Sequence, residues 1–167
     1  DQMTKKVFVS GCFDMLHSGH VAFFRDAARY GDVYVALGSD QTIYALKGRP
    51  TVNNEQERLF MVKAVRWVKD AFISQGTGLL DFEAELREMH PDYFVVNADG
   101  DTPEKRRLCQ DLSVEYVVLA RKPFEDLAER STTALREQDY LPYRIDLAGG
   151  WLDQPFVSQH YPGAVVT

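Results

Sequence analysis

Two histidines three positions apart, His17 and His20, fall within the run Gly11-Cys12-Phe13-Asp14-Met15-Leu16-His17-Ser18-Gly19-His20. Gly11 lets the chain turn sharply off a preceding apolar run, and Gly19 lets backbone and ligand approach closely beside a following helix. At a helix start, an i,i+3 spacing turns both imidazoles to one side, near the positive end of the dipole. Two such donors suit an α/β-phosphate bridge and the charge that grows on it during in-line displacement. The pair also reads as surface histidines beside a turn, or as a metal site. Neither of those accounts for Gly11, Phe13 and Asp14 as well. Phe13 reads as a core anchor for the loop. Asp14 reads either as a support for the phosphate site or as a turn or capping carboxylate.

The elements that must position this loop follow from the apolar pattern. Lys6-Val7-Phe8-Val9-Ser10 predicts a strand ending at Gly11, and Val21, Phe24, Ala27 and Ala28 recur at helical spacing up to Gly31. A second strand is predicted over Asp32 to Gly38, followed by a polar loop over Leu46 to Asn54. Asn54 then caps a helix through Leu59, Met61, Val62 and Val65. Further strands are predicted at Ala71-Phe72-Ile73-Ser74, Tyr93-Phe94-Val95-Val96 and Tyr116-Val117-Val118-Leu119, with helices through Phe82, Leu86 and Met89 and from Pro103 between them. Strands written as continuous apolar runs, alternating with helices, indicate an α/β fold with a doubly wound, parallel five-stranded sheet of the Rossmann-like kind. Ligands in such folds bind beyond the carboxyl ends of the strands. The Gly11 turn, the Asp99 loop and the Arg121 segment are all expected there.

Composition narrows the function classes. With 167 residues, 45% of them hydrophobic, the chain can bury one ordinary core. A formal net charge of −6 argues against broad binding of nucleic acid or acidic membranes, so the phosphates handled should belong to small molecules. Cys12 and Cys109 are far apart and outside any CxxC pattern, and are read as reduced thiols. No apolar run approaches the ~20 residues that span a bilayer, so a soluble, cytoplasmic protein is expected.

The run from Gly11 to His20 resembles the cytidylyltransferase-like nucleotidyltransferase superfamily, whose pattern G-x-F-D-x-x-H-x-G-H it matches at every specified position. Gly38-Ser39-Asp40, Leu46-Lys47-Gly48-Arg49-Pro50, Asn53 and Glu57-Arg58 extend the resemblance to the glycerol-3-phosphate cytidylyltransferase and heptose-phosphate adenylyltransferase types. The resemblance implies that His17 and His20 bind the triphosphate, with Gly11, Cys12, Phe13, Asp14 and Gly19 forming the loop around it. Lys47, placed in a flexible loop, resembles the family lysine that neutralises phosphate. Arg58 either reaches the site or pairs with a carboxylate on a helix surface, and ranks below Lys47. Asn97-Ala98-Asp99-Gly100-Asp101 resembles the family's post-strand loop, which makes Asp99 a site candidate. Arg130-Ser131-Thr132-Thr133 resembles the end of the second family motif, R-T-x-G-I-S-T-T. Here Lys122 to Glu129 separate Arg121, at the expected arginine position, from the hydroxyl cluster, so either Arg121 or Arg130 can serve the phosphates.

From Leu141 onward, Tyr143-Arg144-Ile145-Asp146-Leu147-Ala148-Gly149-Gly150-Trp151-Leu152-Asp153-Gln154-Pro155 resembles the first sugar-binding strand of GHMP-type sugar kinases. A C-terminal hairpin turning at Gly149-Gly150 is the plainer reading. Two domains are therefore expected, a nucleotidyltransferase over 1–140 and an extension over 141–167 that suggests a kinase–transferase fusion. The expected reaction transfers CMP or AMP from CTP or ATP, with Mg²⁺, to a phosphorylated sugar or alditol, in a homodimer without metal ligands from the protein. The alternatives are a non-catalytic nucleotide sensor and an adenylate-forming enzyme of another HxGH class.

Overall fold

β1 (Lys6–Gly11) buries Val7, Phe8 and Val9 completely, as a strand covered on both faces must. The structure, a computed structural model, describes residues 4–137. Along these residues α1 (Ser18–Ala27), β2 (Asp32–Leu37), α2 (Asp40–Lys47), α3 (Glu55–Lys63), β3 (Val68–Ile73), α4 (Glu83–Met89), β4 (Tyr93–Asn97), α5 (Pro103–Asp111), β5 (Glu115–Leu119) and α6 (Thr132–Glu137) follow β1. The chain divides into two compact units, Asp1–Thr133 and Ala134–Thr167, and the five strands with helices α1 to α5 belong to the first. The expected kinase-like extension over 141–167, and its boundary at 140, lie outside the described residues.

All five strands are parallel, in the order β3-β2-β1-β4-β5. The chain winds outward from β1 through β2 to β3, then returns to the other side of β1 with β4. Strand order thus reverses between β1 and β4, and a crevice opens beyond their carboxyl ends. Alternate strand residues feed two cores. Val7, Val9, Val33, Val35 and Leu37 pack with Phe23, Phe24 and Ala27 of α1 and Val62 of α3. Phe8, Ala36, Phe94 and Val96 pack with Phe82, Leu86 of α4 and Leu108 and Cys109 of α5 on the other face. At ~1.5–3 kcal/mol for each fully buried large apolar side chain, these faces dominate the folding free energy.

The helix ends follow local chemistry. Asn54 caps α3 through bonds from the Gln56 and Glu57 amides, with Glu57 accepting one from the Asn54 amide, a capping box. β3 begins earlier than its apolar run, at Val68. Helix α2 carries no apolar period to announce it, since only Thr42 and Ile43 are buried; Ser39 caps its start and Gly48, at φ 68°, ends it. Lys47 therefore sits in the last helical turn and not in a flexible loop.

Arg58, in α3, is fully buried, and of its two readings the pairing with a helix carboxylate, Asp40 at the start of α2, is the one its contacts describe. Its guanidinium donates to the carbonyls of Cys12 (2.8 Å), Gly38 (2.9 Å) and Asn53 (3.2 Å), and to Asp40 Oδ1 at 2.8 Å. One side chain thus clamps the exits of β1 and β2, the start of α2 and the linker at residue 53. Burial alone pushes the Asp40 carboxyl up, but bonds from Arg58, the Glu55 amide and Thr51 outweigh it and hold the group below the usual range. Arg58→Met should leave Asp40 and three carbonyls without their donor, costing about 3–5 kcal/mol. Urea unfolding with an unchanged m-value is the measurement, and a loss under about 1 kcal/mol would contradict the clamp.

Candidate active site

After β1 the chain makes a compact loop in which Phe13 and Met15 both adopt φ 50°. Left-handed backbone costs a non-glycine residue about 1–2 kcal/mol, so the surroundings must enforce it. The Phe13 ring folds back over Gly11, where a Cβ would meet ring carbons at 2.9 Å. It packs against Phe24, ring centroids 4.8 Å apart, and against the edge of His20 at 5.4 Å. Asp14 is buried, and its carboxylate accepts from the amides of Val52 (2.8 Å), Asn53 (2.9 Å) and Met15 (3.1 Å). Of its two readings the loop support is the one its contacts describe.

His17 is the N-cap of α1, an unusual residue for that position. Its Nδ1 accepts from the Gly19 amide at 3.1 Å, while His20 Nδ1 accepts from the His17 amide at 3.4 Å. The rings stack, centroids 3.8 Å apart at 24°. Because each Nδ1 is used as an acceptor, each neutral ring carries its proton on Nε2. His17 Nε2 is buried with no partner among the described residues, a donor whose desolvation a ligand would compensate. Burial, reinforced by His17 and Arg121, holds His20 down to about 3; burial, Arg121 and Arg130 also lower His17. Both rings are therefore uncharged donors at neutral pH, and the cationic help must come from lysine or arginine.

Two cavities meet at this loop. The larger, about 430 Å³, extends over Gly11 to Asp14, Lys47, Asp81, Phe82 and Lys105. The smaller, about 200 Å³, is bordered by His17, Gly19, Arg121, Ser131 and Thr133. His20, Asn97, Asp99 and Thr132 border both. The segment from 130 to 133 reaches the histidine loop through Thr132, whose hydroxyl donates to the Asp14 carbonyl at 3.0 Å. Gly19 makes room for it: a Cβ there would meet the Arg130 carbonyl at 3.2 Å and His17 Nδ1 at 3.0 Å.

Arg121 pairs with Asp99 at 3.2 Å and Glu129 at 3.7 Å, and donates to the Arg130 carbonyl. Its guanidinium faces the smaller cavity, while Arg130 supplies a carbonyl to Arg121 and a charge felt at His17. Of the two arginines, Arg121 is the one that lines a cavity. Thr132 and Thr133 open a helix of six residues, too short for much dipole, so what they offer the smaller cavity is their hydroxyls. Sequence reasoning missed Asp81 and Lys105: a carboxylate just before a helix reads as a cap, and a lone helical lysine as solvated surface.

The depressed His20 value has a pH consequence. Between about 6.5 and 3 the unfolded chain binds a proton there that the folded protein refuses, so stability falls as pH is lowered through that window. In ¹⁵N NMR of the ligand-free protein, His20 should remain the Nε2–H tautomer at pH 5; titration near 6.5 would contradict the assigned hydrogen bonds.

Residues 8–138 match the Cytidylyltransferase-like family. An FAD synthase of Pyrococcus horikoshii is 35% identical over 109 residues, 64% of this chain and 68% of that protein. One of Pyrococcus abyssi is 32% identical over 131 residues, 75% and 87% of the two chains. An ethanolamine-phosphate cytidylyltransferase of Arabidopsis thaliana is 39% identical over 97 residues, 56% of this chain and 23% of that one. Among solved structures, a lipopolysaccharide core biosynthesis protein from Thermoplasma volcanium has a TM-score of 0.60 at 20% identity, covering 73% of this chain and 99% of its own, and so shares the fold. Since the match runs through both the histidine loop and the distant hydroxyl segment that closes on it, the chain belongs to the cytidylyltransferase-like family and is a nucleotidyltransferase.

Proposed function

We propose that this enzyme transfers CMP or AMP from CTP or ATP to the phosphate of a sugar or alditol phosphate and releases pyrophosphate. The observation that carries this reading is the Thr132–Asp14 hydrogen bond, which brings hydroxyls from 118 positions away beside the histidine loop. The triphosphate then lies in the smaller cavity, across His17, His20 and Ser131-Thr132-Thr133, with Arg121 offsetting its charge. The acceptor enters the larger cavity with its phosphate towards Lys47. The α-phosphorus sits at the junction bordered by His20, Asn97, Asp99 and Thr132.

An acceptor phosphate oxygen attacks the α-phosphorus in line, forming the new P–O bond as the bond to the bridging oxygen of pyrophosphate breaks. A phosphate monoester is already ionised at neutral pH, so no strong base is needed. Rate acceleration comes from alignment and from donors aimed at the developing charge. The Nε2–H groups of the two histidines meet the α/β bridge as neutral donors, so they need no proton from solvent at working pH. Among the described residues no cluster of three metal-ligating side chains exists, and Asp99 is the carboxylate lining the smaller cavity. Mg²⁺ arriving with the triphosphate would supply neutralisation of phosphate charge, and Asp99, which also pairs with Arg121, is the carboxylate of the smaller cavity that would hold it.

The names of the relatives favour a second reading, in which ATP is the donor and FMN the acceptor. We place either reaction in the cytoplasm, in keeping with the free thiols of Cys12 and Cys109, and in a homodimer. No helix among the described residues is long and apolar enough to cross a membrane.

Pyrophosphate release with Mg²⁺, CTP or ATP, and a panel of sugar phosphates, alditol phosphates and FMN tests the proposal. Release should require an acceptor, and His17→Ala or His20→Ala should each lower kcat about 10²–10³-fold. Nucleotide binding without turnover across that panel would instead identify a sensor.

A further inference from the structure

Two ionisable side chains of the larger cavity have no task in the transfer step. Asp81, just before α4, is 8% exposed, and its Oδ2 stands 3.4 Å from where a Cβ on Gly38 would lie, over the exit of β2. The loop before it is closed by the Gly76 amide donating to the Asp81 carbonyl at 3.0 Å, so the carboxylate is held on a fixed frame. Lys105 comes from the first turns of α5, and its Nζ donates to the Gly100 carbonyl at 2.8 Å. Neither side chain forms a salt bridge of 4.0 Å or less within the described residues. The Asp81 carboxylate borders the cavity, where its oxygens can accept hydrogen bonds from a ligand.

We propose that Asp81 and Lys105 are the specificity residues of the acceptor site, gripping neighbouring hydroxyls of a polyol attached to the reacting phosphate. This rests on the transferase reading above and deepens it. A phosphate dianion beside Asp81 would be repelled, so the acceptor phosphate belongs at the Lys47 and His20 end and its body at the Asp81 end. An anionic body would meet Asp81, and a cationic head group would meet Lys105. A neutral hydroxylated body satisfies both, donating O–H to the carboxylate and accepting from the ammonium through its oxygens. The environment agrees. Burial and the nearby Glu85 raise Asp81 to about 6, and burial lowers Lys105 against the pull of Asp101, Asp81 and Asp99, so both groups lack full compensation until a ligand arrives. A site built around buried polar groups rejects an analogue lacking their partner more strongly than an apolar pocket rejects a methylene.

The test is steady-state pyrophosphate release by the full chain with glycerol 3-phosphate, ribitol 5-phosphate, hexose and heptose phosphates, FMN, phosphoethanolamine and phosphocholine. For the best polyol acceptor, Asp81→Asn and Lys105→Met should each raise acceptor KM about 10- to 100-fold, the loss expected for a hydrogen bond to a charged group, while KM for the nucleoside triphosphate stays at its wild-type value. Deoxy analogues should lose a similar factor with the wild-type enzyme, a measurement that needs no variant to fold. Unchanged acceptor KM in the variants, or no penalty for deoxy analogues, would overturn the proposal while leaving the transferase reading intact; a preference for phosphoethanolamine or phosphocholine would overturn the proposal and the sugar or alditol acceptor, and leave nucleotidyl transfer itself standing. No turnover by the wild-type enzyme with any acceptor would overturn both.

Discussion

The active site depends on one buried cation. Arg58 satisfies the carbonyls at the ends of two adjacent strands, which a parallel sheet leaves pointing into the crevice where ligands bind. By also holding Asn53 and Asp40 it fixes the linker between α2 and α3. That linker offers the Val52 and Asn53 amides to Asp14, and Asp14 in turn keeps the loop in a conformation that Phe13 and Met15 would not adopt by preference. The histidine pair therefore inherits its position from a chain of charge-assisted bonds that begins in the core. A guanidinium suits this task because its planar fork presents several fixed donors and stays charged when buried.

The electrostatic design separates two roles. The stacked histidines sit too deep, and too close to each other and to Arg121, to take up a second proton and its charge at neutral pH. They supply direction, two Nε2–H groups fixed by backbone bonds at Nδ1. In the proposed mechanism charge comes from Arg121 and Lys47, which line the two cavities and remain partly solvated, so that they cost less to keep. A phosphate bound between them gains aligned neutral donors near the reacting centre and cations farther out, with little reorganisation left for the transition state.

Much of this arrangement is legible in the sequence. The apolar runs mark all five strands, most fully for the central strands β1, β2 and β4, which are buried on both faces, while the edge strands β3 and β5 are only partly buried. The Asn54 cap and the Pro103 helix start follow from side-chain chemistry at single positions. The histidine loop announces itself through two glycines, and both turn out to be required sterically, by Phe13 in one case and by His17 and Arg130 in the other. Helix α2 is hidden because it buries too little to leave a period, which puts Lys47 in a loop. Arg58 is undervalued because a long-range clamp on carbonyls leaves no local pattern, and an arginine on a helix most often reads as surface. The same reason hides Asp81 and Lys105, which come together only through the topology. That Arg121 and not Arg130 lines the smaller cavity shows only in three dimensions, because eight residues separate the two along the chain.

Central to the proposed mechanism is a single triphosphate gripped by the two Nε2–H groups and the distant hydroxyls. A crystal structure with Mg²⁺ and the α,β-methylene analogue of the preferred nucleotide addresses this directly. It should place Nε2 of His17 and of His20 about 3 Å from oxygens of the α- or β-phosphate, with the γ-phosphate against Ser131-Thr132-Thr133. A triphosphate bound away from the histidines, with His17 Nε2 still lacking a partner, would contradict it.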